Sequence, residues 1–201
     1  MQKRNIKTIG TATTLDEALK LDEAQVDFII ASGFEAGGHC PSFLNKAEYS
    51  LTGTFALIQQ LTSRIKTPII AAGGIVNSNG IIAVLSLGAS GVQIGTAFLA
   101  CDESNANEEY KCVLFSERAK HTSIKTSFTG RLRREISGTI SDALSQKTQT
   151  FPFPQQTHFI APLRRVAIGQ DKSELITFWV EQIASELKHK NVSSLMAELT
   201  S

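Results

Sequence analysis

Val26-Asp27-Phe28-Ile29-Ile30-Ala31-Ser32-Gly33-Phe34-Glu35-Ala36-Gly37-Gly38-His39 is the stretch that decides the fold class. Its first six residues read as one continuous apolar strand, which runs into a glycine-rich loop ending at His39. A strand that is apolar throughout belongs to a parallel sheet covered on both faces.

The pattern repeats on either side. Upstream, Lys7–Thr13 is β-prone and meets Thr14-Leu15-Asp16-Glu17, a capping box with Glu17 three residues after Thr14. Ala18, Leu19 and Leu21 then give a helical face through about Gln25. Downstream, a helix is expected from Thr54 to Lys66, with Phe55, Leu57, Ile58, Leu61 and Ile65 on its apolar side and Thr67-Pro68 as its stop. Pro68–Ala72 is a third strand closed by Gly73-Gly74. Asn77 or Ser78 caps a third helix that runs to Leu87 and is ended by Gly88. Gly91–Phe98 is the fourth strand. Strands alternating with helices place the chain in the α/β class, as four strand–helix units with a final helix after the fourth strand.

The remainder has a different texture. Helical stretches such as Glu108–Arg118 are broken at Thr129-Gly130-Arg131, and Phe151-Pro152-Phe153-Pro154 is a loop with aromatic anchors. Ser173–Lys190 reads as amphipathic helix, with Leu175, Ile176, Trp179, Ile183 and Leu187 at helical spacing and Trp179 as a core anchor.

The chain has 201 residues, 42% hydrophobic and 19% charged, with a net charge of +1. That length buries a real core. The near-neutral balance gives no field to attract nucleic acid or anionic lipid. No apolar run is long enough to span a bilayer, and the basic start Met1–Asn5 is followed by no apolar signal core, so the cytoplasm is the default location. Cys40, Cys101 and Cys112 are odd in number and widely spaced, which argues against a disulfide framework or a structural zinc site and for small, semi-apolar buried residues. No metal is expected.

Three constellations carry chemistry. Ala31–His39 follows a parallel strand, which in β/α barrels is the active-site end. Gly37 and Gly38 let the backbone approach a ligand closely, and His39 presents an imidazole suited to proton abstraction. Taken alone, Gly37-Gly38-His39 reads equally well as a glycine turn with an exposed histidine. Ala71-Ala72-Gly73-Gly74-Ile75 stands at the next strand end, and Gln93-Ile94-Gly95-Thr96 at the one after. Glycines with free N–H groups in these places suit a phosphate. In this order, the three point to a phosphorylated cofactor.

GFEAGGH (33–39), PIIAAGGI (68–75) and GASGVQIGTAFLA (88–100) together resemble the nitronate monooxygenases, also called 2-nitropropane dioxygenases, over most of residues 7–101. The resemblance implies a TIM (β/α)8 barrel carrying FMN. It implies His39 as the base that takes a proton from the carbon beside the nitro group of a small nitroalkane, with O2 completing the oxidation. Ser32, Gly37, Gly38, Gly73, Gly74, Gln93, Ile94, Gly95 and Thr96 fall at cofactor-binding positions. Ser32 stands where many members carry Gln, and Cys40-Pro41 replaces the usual basic or glycine residue after the histidine. A flavin-dependent enoyl-acyl-carrier-protein reductase is similar in these glycine loops and is the second enzyme reading.

A complete barrel has eight strands, and four are visible. The expectation is therefore the C-terminal half of an FMN-binding barrel over 1–101, with a mostly helical subdomain and the closing helix of the barrel over 102–201. Such a half exposes two edge strands, which calls for a missing N-terminal half-barrel or a homo-oligomer; an inactive or split fragment is the third reading.

Overall fold

A computed structural model describes residues 6–136, 138–146, 150–170 and 172–201; the basic Met1–Asn5 stretch lies outside them. In chain order the first elements are β1 (Ile9–Ala12), α1 (Leu15–Glu23), β2 (Phe28–Ser32), the two-residue β3 (Gly38–His39), α2 (Thr54–Thr62), β4 (Ile69–Ala72), α3 (Ser78–Ser86), β5 (Gly91–Gln93) and α4 (Thr96–Leu99). They are followed by α5 (Glu108–Leu114), β6 (Ser123–Lys125), β7 (Arg133–Glu135), α6 (Thr139–Ser145), α7 (Gln155–Gly169) and α8 (Val192–Leu199). Two units result. The first takes in Met1–Ala36, Cys40–Gly95 and Ser193–Ser201, the second Gly37–His39 and Thr96–Val192.

The first unit is built on a parallel sheet in the order β1-β2-β4-β5, so the α/β class stands. Ile29 and Ala31 of β2, Ala71 of β4, and Leu57, Ile58 and Leu61 of α2 are sealed in one apolar cluster with Ala12 and Ala18. Leu57, Ile58 and Leu61 fall on one face of α2 at helical spacing, which is why this short helix seats on the sheet. The expectation of equal cover on both faces needs correction. Ile30 and Ile70, which pair across β2 and β4, are only half-buried, because alternate residues of a strand point to opposite sides.

The helix ends follow local chemistry. Asn77 caps α3, its side-chain oxygen accepting the Gly80 N–H at 2.9 Å, and Gly88 takes φ +100° just past the end, a conformation that favours glycine. The capping box at α1 is half as expected. Thr14 Oγ1 accepts the Glu17 N–H at 3.3 Å. The Glu17 carboxylate does not return to Thr14; it accepts the Thr13 N–H and hydroxyl, both at 2.8 Å, and the N–H groups of Phe43 and Leu44. Burial pushes the Glu17 carboxyl up, yet these donors outweigh it and hold it below the usual value.

The second unit contains a sheet absent from the sequence reading: β3-β7-β6, antiparallel throughout. Its core gathers Val113 and Leu114 of α5, Ala167 of α7, and Ile136, Ile176, Phe178 and Val180. The expected helix over Ser173–Lys190 does not form. Ile176, Phe178 and Val180 are buried while Trp179 is exposed, and Phe178 bridges Ile136 in an antiparallel pair, so the segment is extended there. The fourth strand is also shorter than expected. It ends at Gln93, and α4 begins at Thr96. Cys40, Cys101 and Cys112 are free thiols; Cys101 is buried, whereas Cys112 is exposed rather than packed in the core.

Candidate functional site

In the first unit, the strand ends are joined by Glu35. Helix α2 has Gly53 at its cap position and so no side-chain cap of its own. The Glu35 carboxylate takes that place, accepting the Thr54 N–H at 2.9 Å on one oxygen and 3.1 Å on the other. A carboxylate at a helix N-terminus is favoured by both the unsatisfied N–H groups and the dipole. The Thr54 hydroxyl lies 2.9 Å from Glu35 Oε2 and 2.9 Å from the Gly73 carbonyl, linking the loop after β2 to the loop after β4. Gly33 is a glycine because a Cβ there would run into the Thr54 hydroxyl and backbone nitrogen. Glu35, read in the sequence only as part of a motif, is thus the fastener of that motif.

Ser32 ends β2 and is buried opposite Ala72. Gly73 and Gly74 both have positive φ, +99° and +74°, and a Cβ on Gly73 would come within 2.7 Å of the Ala36 nitrogen. Gln93 at the end of β5 and Gly95 beyond it are exposed, and Ile94 between them is half-buried. A Cβ on Gly95 would meet nothing within 4 Å. Among the described residues, the N–H groups of Gly73 and Gly95 make no backbone hydrogen bond.

His39 belongs to the second unit. Strand β3 pairs it with Arg133 of β7. Its Nε2 lies 2.8 Å from the hydroxyl of Thr129, which is buried. The rings of Phe153 and Trp179 pack on the imidazole at centroid distances of 5.2 and 5.0 Å. Burial, aided by the positive charges of Arg133 and Arg131, lowers the His39 pKa from 6.5 to about 4. The ring is therefore neutral at physiological pH. Arg133 itself is fully buried in an ion pair with Glu135, and Ser141 donates its hydroxyl hydrogen to that carboxylate. Burial pulls Arg133 down and Glu135 up, each opposed by the partner's charge.

The other second-unit positions have structural duties. A Cβ on Gly37 would come within 2.5 Å of the Val180 carbonyl carbon, so this glycine admits the chain's own backbone. Gly38 takes φ +80° beneath the Trp179 ring. The Thr96 hydroxyl accepts the Glu181 N–H at 3.1 Å. Trp179 is held in turn by Tyr110, which donates its hydroxyl to the Trp179 carbonyl at 2.6 Å. Sequence reasoning missed Thr129, Arg133, Phe153 and Trp179 as neighbours of His39. Thr129-Gly130-Arg131, the Phe-Pro-Phe-Pro loop and Trp179 each stand out in the sequence, Trp179 as a core anchor, but no spacing ties them to His39.

The first unit is a parallel α/β sheet with glycine-rich strand ends, and the second holds a half-buried histidine whose pKa is lowered by burial and by Arg133 and Arg131. The nitronate monooxygenase family model matches residues 1–201, and the chain belongs to that family. It is 39% identical over 184 residues to a probable nitronate monooxygenase of Staphylococcus aureus (strain Newman), a match covering 90% of this chain and 52% of the relative. The chain thus spans about half the length of the curated relatives it matches. Among solved structures, nitroalkane oxidase from Streptomyces ansochromogenes superposes with a TM-score of 0.89 at 31% identity, covering 99% of this chain and 59% of that one. FabK from Thermotoga maritima superposes with a TM-score of 0.82 at 26% identity, covering 99% and 61%.

Proposed function

We propose that the chain carries the proton-abstracting part of an FMN-dependent nitronate monooxygenase, which oxidises alkyl nitronates or nitroalkanes with O2. One observation carries the reading: the half-buried His39 imidazole packs against the rings of Phe153 and Trp179 with Nε2 on the Thr129 hydroxyl, a setting that favours its neutral, proton-accepting form. His39 takes a proton from the carbon bearing the nitro group, and the C–H electron pair stays on the substrate as a nitronate. Arg133, paired with Glu135, and Arg131 oppose the imidazolium, and the charge of Arg131 favours that anion.

The first unit fits a flavin phosphate at its strand ends. Gly73, Gly74 and Gly95 present backbone without a Cβ, Gly95 faces open space, and among the described residues the Gly73 and Gly95 N–H groups make no backbone hydrogen bond. Ser32, Gly73, Gly74, Gln93, Ile94 and Gly95 are the residues assigned to FMN there; the family resemblance adds Gly37, Gly38 and Thr96. Bound FMN supplies an electron acceptor for the nitronate and a route to O2. The parallel sheet serves as the C-terminal half of a (β/α)8 barrel, with half-buried Ile30 and Ile70 facing its interior. β1 and β5 are the edges at which the remaining strands add, from a longer polypeptide or a second chain.

The test is a titration of FMN into the purified protein, read by quenching of flavin fluorescence, with oxygen uptake on ethyl nitronate. Saturable quenching and oxygen uptake are expected. The absence of both would reject the reading, and NAD(P)H oxidation on an enoyl thioester in place of oxygen uptake would favour the reductase instead.

A further inference from the structure

The Thr129 hydroxyl has one hydrogen and three neighbours, of which the Arg131 N–H, at 3.4 Å, can only donate to its oxygen. The other two are His39 Nε2, at 2.8 Å, and the Arg131 carbonyl oxygen, at 3.1 Å. A carbonyl can only accept, and a neutral imidazole nitrogen can do either. Both bonds exist together in one arrangement alone: His39 Nε2–H donates to Thr129 Oγ1, and Thr129 donates to the Arg131 carbonyl. The reverse tautomer sends the Thr129 hydrogen to the ring and keeps only one of the two.

From this geometry we infer that Thr129 is a positioning residue that holds His39 in its Nε2–H tautomer, leaving Nδ1 as the atom that takes the substrate's proton. The inference rests on the reading of His39 as the base. In the step itself the substrate C–H bond breaks, its electron pair remains on the substrate, and an N–H bond forms at Nδ1; nothing is oxidised or reduced. The imidazolium so formed donates from Nε2 to Thr129 more strongly than the neutral ring does, because the donor has become charged. That gain partly offsets the repulsion from Arg133 and Arg131, the charged groups that act on the ring. The elements stacked against it contribute the uncharged rings of Phe153 and Trp179.

The surroundings of Thr129 are built to fix it. The Thr129 and Gly130 N–H groups both donate to the Thr126 carbonyl, at 3.2 and 2.7 Å, closing a tight turn. Gly130 takes φ +78°, and a Cβ there would strike the backbone of Phe151–Phe153. The turn that places Thr129 therefore also packs on the segment whose Phe153 ring covers the imidazole. Thr129 is 2% exposed, so water does not compete for its hydroxyl.

The experiment reads the ring nitrogens directly. Protein labelled with 15N-histidine is examined by long-range 1H–15N correlation; the chain has four histidines, and His39→Gln assigns the signal. His39 is expected to show a protonated Nε2 and an unprotonated Nδ1. Thr129→Val, which keeps the shape and removes the hydroxyl, is expected to give a tautomer mixture and to lower the titration midpoint of His39 by about 0.5–1 pH unit. Thr129→Ser restores both. In turnover, Thr129→Val should lose about tenfold or more in kcat/KM on a neutral nitroalkane and little on a preformed nitronate. A native Nδ1–H ring, or an unchanged ring in a folded Thr129→Val protein, overturns the tautomer assignment whatever the turnover. The expected spectra with equal losses on both substrates would instead overturn His39 as the base, and with it the catalytic use of Nδ1.

Discussion

Glu35 caps a helix to which it does not belong. Its carboxylate accepts the Thr54 N–H at 2.9 Å, nineteen residues along the chain, where Gly53 offers no cap. The loop leading toward His39 is thereby tied to the start of α2. Glu35→Ala removes the acceptor and the charge together, and is expected to lower stability by about 1–2 kcal/mol in chemical denaturation; Glu35→Gln keeps an acceptor and should cost less than about 1 kcal/mol. Equal stability of Glu35→Ala and the native protein would mean that solvent caps α2 equally well.

Gly130 is the glycine of the second unit whose replacement should hurt most. It combines φ +78° with backbone atoms of Pro152 and Phe153 at 2.7 Å from a would-be Cβ. Strain and collision together should cost Gly130→Ala about 2–4 kcal/mol. The melting midpoint should then fall by about 5–15 °C, a loss that calorimetry reads directly.

What could be read from residues alone divides along a physical line. β2 and β4 were legible because their apolar runs declare themselves locally, and Asn77 and Gly88 mark the ends of α3 by their own chemistry. β7 was not, because Arg133-Arg134-Glu135 looks like a solvated stretch; it is buried between the neighbouring β6 and β3, which pairs with it from far along the chain. The segment around Trp179 misled for a related reason. Leu175, Ile176, Trp179 and Ile183 fit a helical period, but the tertiary fold chose the alternation of Ile176, Phe178 and Val180. The strand-end glycines and His39 were visible as a motif. The residues that set the chemistry of His39, namely Thr129, Arg133, Phe153 and Trp179, come from three other segments, and no local spacing connects them.

The depressed pKa of His39 makes stability depend on pH in a defined window. The folded ring titrates near 4 and the unfolded ring near 6.5, so the unfolded chain binds the extra proton between those values. Stability is therefore lost as pH falls from about 6.5 to about 4 and levels off below. Glu17, held below its usual value, adds a separate loss under about pH 4.5, present with or without His39. In His39→Gln only the first component should vanish. The difference in melting midpoint between variant and native protein should grow in the variant's favour from pH 7 to pH 4; a constant difference would contradict the depressed value.

Trp179 offers a way to move that pKa without touching His39. Burial is the largest cause of the shift, and the Trp179 ring is one of the two that cover the imidazole. Trp179→Ala admits water and should raise the His39 titration midpoint from about 4 toward 6.5, as NMR titration of the ring would show. An unmoved midpoint would assign the shift to Arg133 and Arg131 instead.

The last prediction separates proton abstraction from all later chemistry. A neutral nitroalkane must lose a proton before it can be oxidised, whereas a preformed nitronate has already lost it. His39→Asn keeps a polar side chain of similar reach but removes the base. On a nitroalkane, kcat/KM should fall by about 10²–10⁴-fold, the ordinary worth of a positioned general base. On the matching nitronate the loss should stay within about tenfold, reflecting binding alone. Oxygen uptake measured with both forms of one substrate, at a pH well above 4 so that the native ring is neutral, compares the two directly. Equal loss on both would show that His39 acts after deprotonation, in holding the anion, and would remove the role of base from it.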